Sequence, residues 1–324
     1  MRWLLLLLFS LPLFGALSES VLPAIEAAYA IGGEKFTKRQ WEEITAAKGR
    51  ERLRVVTYNM LFNLYDWRHA EAYRWPARLP RIAEWIRAAD ADLIATQELH
   101  RDQVEGLLAL IGEEYAFYGH ASTLLGVESE INGIFYRKGR FELVFAESPS
   151  MSEYDPYSSM SRRLTIAHFR DGKTGAVFGL INAHHSFSSA DSRECSVRFT
   201  LDRLGPLMGD MPLIVVGDMN TFPTRIDVDL PFYDGHYLHR LFMGAGFQEA
   251  YDRALLGHVG PISTFTNAPD QGKTVFMGTG TPGVVLDHIY VNGKVEVMIH
   301  AVDPARVDGY FPSDHMPVIA DLVL

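Results

Sequence analysis

"MPLIVVGDMNT", residues 211–221, is the stretch whose reading decides the fold. Leu213 to Val216 form a short, β-branched, apolar run of the kind that fills a buried strand. The run stops on Asp218 and Asn220. A carboxylate at the edge of a dry core costs free energy unless it is paired or metal-bound. Working outward, the same design recurs. "LRVVTYNML" (53–61) ends on Asn59, "ADLIATQEL" (91–99) on Glu98, and "AVFGLINAHHS" (176–186) on His184. Asp287 follows the apolar residues of "VVLDHIYVNG" (284–293), and "PSDHMPV" (312–318) places Asp314 and His315 before the last strand. Six strand edges therefore carry Asn, Glu, His or Asp. Strand ends on one rim of a sheet pair can bring such groups into one cleft.

Helical spacing separates some of these strands. "RLPRIAEWIRAAD" (78–90) repeats Leu79, Ile82, Ile86 and Ala89 on one face, and "RDQVEGLLALIG" (101–112) reads as a helix stopping at Gly112. "DSRECSVRFTLDRLGPL" (191–207) is amphipathic, and "YLHRLFMGAGFQEAY" (237–251) reads as a helix and turn. Elsewhere strands follow one another directly. "IFYRKGRFEL" (134–143) reads as a hairpin around Lys138 and Gly139. Alternation in some places and strand-to-strand runs in others predict a mixed α/β sandwich of two sheets rather than a doubly wound parallel sheet.

The chain has 324 residues, 12% of them aromatic, enough for one large core. Its formal charge is −10, which repels polyanions at long range and weighs against a high-affinity DNA binder. It does not weigh against an enzyme that meets phosphate through a metal. "MRWLLLLLFSLPLFGALSES" (1–20) joins Arg2 to an apolar stretch and small residues at 16–18, so residues 1–18 read as a secretory signal peptide, with an uncleaved anchor as the alternative. A secreted or periplasmic protein is expected. No Cys follows the run to take a lipid. Residues 19–52 read as a charged helical leader and 53–324 as the main domain. The single cysteine, Cys195, excludes an internal disulfide and reads as a small core residue.

Each polar strand end also has an ordinary structural reading. Asn59 could cap a turn, Glu98 and Asp218 could cap helices, and His184 or His185 could be a satisfied core imidazole. The ordered set "TYNM", "TQE", "NAHHS", "GDMNT", "LDHIYV" and "SDHMPV" nevertheless resembles the endonuclease/exonuclease/phosphatase (DNase I-like) superfamily over residues 53–324. The resemblance implies a four-layer αββα sandwich of two mixed, mainly antiparallel sheets. It also implies a metal-dependent phosphoesterase in which an activated water attacks in line.

By resemblance, Glu98 is the central Mg²⁺ ligand, aided by Asn59 and Asp314. All-oxygen ligands suit Mg²⁺ or Mn²⁺. Asp218 orients or deprotonates the water, and Asn220 holds the water or a phosphate oxygen. His184 and His315 donate to the phosphate, with Glu130 and Asp287 as their carboxylate partners. Of Arg162 and Arg163, Arg163 is the expected phosphate-binding cation. His185, on the opposite strand face, is expected to be structural. His288 stands where an aromatic is common and is expected to pack. Trp75 and Arg78 are minor matches to the same pattern. The expected partner is a phosphoester substrate (a small molecule, a lipid headgroup or nucleic acid), with no stable protein partner and a monomer as the family default. Two alternatives remain: a secreted nuclease, and a binding protein that kept the fold without catalysis. The aromatic segment 222–242 could cover the cleft or touch a headgroup.

Overall fold

A computed structural model of the chain describes residues 51–124, 127–152, 154–155, 160–187, 189–223, 236–266, 284–304 and 306–324. The expected signal peptide and leader, and most of the aromatic segment 222–242, lie outside the described residues. No described helix is long and apolar enough to cross a membrane.

In chain order the strands are β1 (Leu53–Asn59), β2 (Leu93–Leu99), β3 (Tyr115–Tyr118), β4 (Ala121–Leu124), β5 (Val127–Arg137), β6 (Phe141–Glu147), β7 (Met160–Ser161) and β8 (Thr165–Asp171). They continue with β9 (Val177–His184), β10 (Leu213–Asp218), β11 (Gln248–Glu249), β12 (His258–Val259), β13 (Asp287–Val291), β14 (Glu296–Val302) and β15 (Val318–Val323). The principal helices are α1 (Trp75–Ala89), α2 (Arg101–Ile111), α3 (Ala190–Leu204) and α4 (Tyr237–Gly244).

Two sheets form. The first runs β12-β14-β15-β1-β2-β5-β4-β7, with β3 also on β5; the second runs β11-β13-β10-β9-β8-β6. Pairing is parallel for β1–β2, β9–β10 and β12–β14 and antiparallel elsewhere. The strand period of two explains the layering. Val55 faces the core between the sheets while Val56 faces α1 and α2. Ile214 and Val216 face the inter-sheet core while Val215 faces α3 and α4. Three apolar cores thus separate four layers, the αββα sandwich expected. On α1, Ile82 and Ile86 are fully buried, each contributing about 1.5–3 kcal/mol of burial free energy.

The expected hairpin at Lys138–Gly139 is not one. β5 and β6 are joined by a tight turn but lie in different sheets, β6 pairing with β8. The edges of β5 are taken by β2 on one side and by β3 and β4 on the other. With no free edge, the chain crosses over. Buried Arg140 pins the crossing through Asp92 at 2.7 Å and Asp171 at 2.9 Å. Arg54, bidentate on Asp321 at 2.8 and 3.1 Å, secures β1 against β15. Cys195 is half-buried on α3, and burial with nearby carboxylates pushes its thiol up, away from the nucleophilic form.

Candidate active site

The carboxyl ends of β1, β2, β9 and β10 deliver Asn59, Glu98, His184 and Asp218 to one rim. Backbone distortion concentrates there. Leu61, Glu98 and Asn220 have φ of 57°, 61° and 47°, conformations that cost about 1–3 kcal/mol each when non-glycine residues adopt them. At Glu98 this coincides with a register shift between β2 and β5, so a bulge re-aims the carboxylate out of the sheet. Gly217 has φ +147°, and a Cβ there would lie 1.8 Å from the Ala183 carbonyl oxygen. Only glycine lets β10 press against β9 immediately before Asp218.

Two imidazoles flank Asp218. His184 Nδ1 meets Glu130 Oε2 at 2.9 Å, and its Nε2 lies 3.5 Å from Asp218 Oδ2. His315 Nδ1 meets Asp287 Oδ2 at 2.8 Å, and its Nε2 lies 3.7 Å from the same Asp218 oxygen. All five residues are buried. A carboxylate behind each ring fixes which nitrogen faces the cleft. Burial opposes charge on His315, but Asp287 and Asp218 outweigh it and hold the imidazolium well above the ordinary histidine range. Burial likewise works against ionised Glu130, yet Arg162 at 3.3 Å and His184 outweigh it, and its carboxyl falls to about 2. The third contact to Asp218 Oδ2 comes from Asn59 Nδ2 at 3.1 Å. His184–Glu130, His315–Asp287 and Asn59–Asp218 each join a group on the first sheet, or on the loop leading into it, to one on the second. Beneath them, buried Gln97 Nε2 donates to Asn182 Oδ1 at 2.7 Å, again from sheet to sheet.

Glu98 is anchored by Asn59 Nδ2 at 3.1 Å and the Phe62 amide at 3.2 Å. Asp314 is half-buried beside Ser313, whose Oγ donates to the Asn59 carbonyl at 2.7 Å. Burial pushes the Asp314 carboxyl up to about 6, and Glu98 adds to the push against the pull of His315 and Arg78. Acids gathered more closely than their charges favour, with oxygen donors only, fit a hard divalent cation. Asp218, Asp287 and His315 also place ligand-type atoms within 4.8 Å of one another. There, however, His315 Nδ1 is already bonded to Asp287 Oδ2, which leaves Asp287 Oδ1 unpaired, so Glu98 and Asp314 are the better-suited ligands.

Four expectations need correction or refinement. Arg163 is not aimed at this cleft: its guanidinium donates to the carbonyls of Ala121, at 2.9 Å, and Ser148. Its neighbour Arg162, buried against Glu130 and the His185 carbonyl, takes the site-facing position because consecutive extended residues point to opposite sides. Asn59 turns its amide nitrogen to Glu98 and Asp218 while its oxygen accepts from the Leu61 amide; between two carboxylates, an oxygen would need a cation to face it. Asn220 Nδ2 donates to the His185 carbonyl at 3.0 Å, so this amide buttresses the loop. His185 lies on the opposite face, bonded to Thr200 at 3.2 Å and stacked on Phe242. Burial first, then His184 and Arg162, lower it to about 3, leaving it neutral. His288 does more than pack: it spans Glu249 at 2.8 Å and the Thr221 carbonyl at 2.9 Å. Arg78, fully buried, is legible in the sequence only as a minor motif match. It donates to Met60 O at 2.7 Å, Leu61 O at 3.0 Å and Pro312 O at 3.3 Å, tying the end of β1 to the Asp314 loop.

Comparisons with known proteins agree with this layout. A solved structure of a mannosyl-6-phosphatase from Bacteroides thetaiotaomicron VPI-5482 is 23% identical, with a TM-score of 0.68 over 84% of this chain and 100% of that one. D. rerio TDP2 complexed with a single-strand DNA product is 17% identical, with a TM-score of 0.60 over 85% of this chain and 100% of that one. Among curated proteins, "Protein angel" of Drosophila melanogaster is 23% identical over 217 residues, or 59% of this chain. The match spans 60% of that relative's length. The model of the Endonuclease/Exonuclease/phosphatase family matches residues 56–315, a span that takes in every residue of the site from Asn59 to His315, and the chain belongs to that family.

Proposed function

We propose that this protein is a divalent-metal-dependent hydrolase of phosphoesters, acting on small molecules in preference to polynucleotides. The observation that carries the reading is the pair of histidines, each backed by a buried carboxylate, that converge on Asp218 beside Glu98 and Asp314. Glu98 and Asp314 would hold the cation, with the Asn59 oxygen joining them after its amide rotates. When bound, Mg²⁺ or Mn²⁺ supplies Lewis-acid neutralisation of charge on the phosphoryl oxygens. Asp218 orients the attacking water and draws its proton. His315, held as an imidazolium, donates to an oxygen that gains charge as the ester bond breaks. His184, fixed through Nδ1 by Glu130, presents Nε2 to the same phosphoryl group. Arg162 holds Glu130 ionised. The family and the phosphatase among its structural neighbours support the reaction class, and the net charge of −10 supports small substrates. The N-terminal sequence supports a secreted or periplasmic location, testable by fractionating cells that express the full chain.

The test is a panel of sugar phosphates, nucleotides, sphingomyelin, RNA and DNA assayed with Mg²⁺, Mn²⁺ and EDTA. Hydrolysis of small phosphoesters is expected with metal, abolished by EDTA and by Glu98→Ala. Full activity in EDTA, or in the variant, would refute the metal and site assignments. Metal-dependent turnover of nucleic acid alone would favour the nuclease.

A further inference from the structure

Immediately after the rim residue Asn59, the chain forms a short helical turn, Asn63–Arg68. It exposes three large apolar side chains within four residues: Leu64 at 55%, Tyr65 at 39% and Trp67 at 69%. Such clustering is unusual on a protein surface and marks a contact site. The turn is not loose. At its start the Phe62 amide holds Glu98 at 3.2 Å, and the Asn63 amide donates to Gln103 at 3.2 Å while its side chain donates to Asp102 at 2.7 Å. At its far end Asp66 accepts from the Trp75 amide and lies 3.7 Å from Arg78.

Between the exposed rings sits a cation. The Arg68 guanidinium lies 4.9 Å from the Tyr65 ring centre and 4.8 Å from that of Trp67. Two cation–π contacts fix it without using its N–H groups. Among the described residues Arg68 makes no side-chain hydrogen bond or ion pair. Three other exposed arginines are neutralised, Arg101 by Glu128, Arg170 by Glu142 and Arg198 by Glu194. An oriented guanidinium with open donors matches an oxyanion bidentately.

We infer that Arg68, clamped by Tyr65 and Trp67, binds a second phosphate of the substrate, remote from the one that is hydrolysed. The inference rests on the phosphoester reading above and adds the substrate class: molecules that carry two phosphates. The second phosphate belongs either to a small bisphosphate or to the neighbouring linkage of a short oligonucleotide. The exposed indole face of Trp67 offers a stacking surface to the sugar or base that joins the two groups.

The test compares steady-state kinetics on fructose 1,6-bisphosphate against fructose 6-phosphate, and on a 5′-phosphorylated trinucleotide against a mononucleotide. Arg68→Ala is expected to raise KM about tenfold for the doubly phosphorylated member of one pair, with kcat unchanged, as fits loss of one charge-assisted bond. The singly phosphorylated member should be unaffected, and Arg68→Lys should recover part of the loss. Which pair responds identifies the source. Tryptophan fluorescence of the metal-free protein, titrated with the same four probes, reads binding without turnover; the responding bisphosphate should change the signal more than its monophosphate, and Trp67→Leu should abolish the change. Equal effects of Arg68→Ala on both members of each pair, or none, would overturn the inference while leaving the hydrolase reading intact. Absence of metal-dependent hydrolysis of any probe would instead refute the hydrolase reading, and the fluorescence titration would still decide for or against the Arg68 site.

Discussion

Replacing Gly217 with alanine separates what this fold needs from what the chemistry needs. A Cβ at Gly217 would sit 1.8 Å from the Ala183 carbonyl oxygen, and contacts under 3.0 Å are essentially never seen. The backbones of β9 and β10 must therefore part by about 1.2 Å, the difference between those two distances. The residue must also hold φ +147°, which alanine resists by about 1–3 kcal/mol. Loosening two or three ladder bonds adds about 1 kcal/mol each, for a total of about 4 kcal/mol. Gly139 provides the control. Its φ is +76°, yet a Cβ at that position would meet nothing within 4 Å, so Gly139→Ala should cost only about 1–2 kcal/mol. Urea unfolding of both variants measures the difference. Asp218 follows Gly217 directly, and a displacement of about 1 Å in a reacting group costs about a hundredfold in rate. Gly217→Ala should thus lose about a hundredfold in kcat under conditions where it stays folded, while Gly139→Ala keeps its rate. Equal stability losses in the two variants, or a Gly217→Ala enzyme of full activity, would refute this reasoning.

Other outcomes follow from the charges. Asp287→Asn removes the main support of the His315 imidazolium but leaves an acceptor for Nδ1; the variant should keep most activity at acid pH and lose it as pH rises through neutrality, a range where the parent holds constant. A pH–rate profile parallel to the parent's would contradict the donor role of His315. The same pair stabilises the fold fully below the ordinary histidine value of 6.5, and that contribution disappears only as pH rises through the elevated folded value. Glu130 runs the other way: its folded value of about 2 lies below the ordinary 4.5, so its stabilisation is present above 4.5 and lost as pH falls toward 2. Arg162→Met should therefore move acid unfolding to higher pH, measured by circular dichroism, whereas Arg163→Met should leave the acid limb in place. Mg²⁺ or Mn²⁺ at a hundred times its Kd should stabilise the parent by about 2.7 kcal/mol in a melting assay, and Glu98→Ala should abolish the gain.

The strands and their polar ends are legible in the sequence because both follow local rules. An apolar run ending in Asp or Glu reads the same whatever surrounds it, and a two-sheet α/β sandwich follows from where helices interrupt the strands, the four-layer αββα order being what the family resemblance implies. What the sequence hides depends on neighbours. The turn at Lys138–Gly139 is hairpin-like in composition, but the occupied edges of β5 decide its course. Choosing between Arg162 and Arg163 requires the parity of an extended segment, and a one-residue error there flips every side chain. The left-handed backbone at Glu98 has no signature in "TQEL". Asn220 reads as a substrate contact and is found bracing the His185 carbonyl, a bond between loops that the sequence does not bring near one another. Arg68 carries no signal of its own, because a lone arginine among aromatics has no meaning until the rings are seen on either side of it.

The bonds that run from sheet to sheet across the cleft carry a consequence for biosynthesis. β1, the first strand among the described residues, finds its antiparallel partner in β15, the last of them. Asp314 and His315 emerge just before that strand, whereas Asn59 and Glu98 were made more than two hundred residues earlier. No stretch of nascent chain that stops short of Asp314 and His315 contains both halves of the cleft. The cleft is therefore assembled only when β15 joins β1, so the closing of the sandwich and the completion of the site are one event.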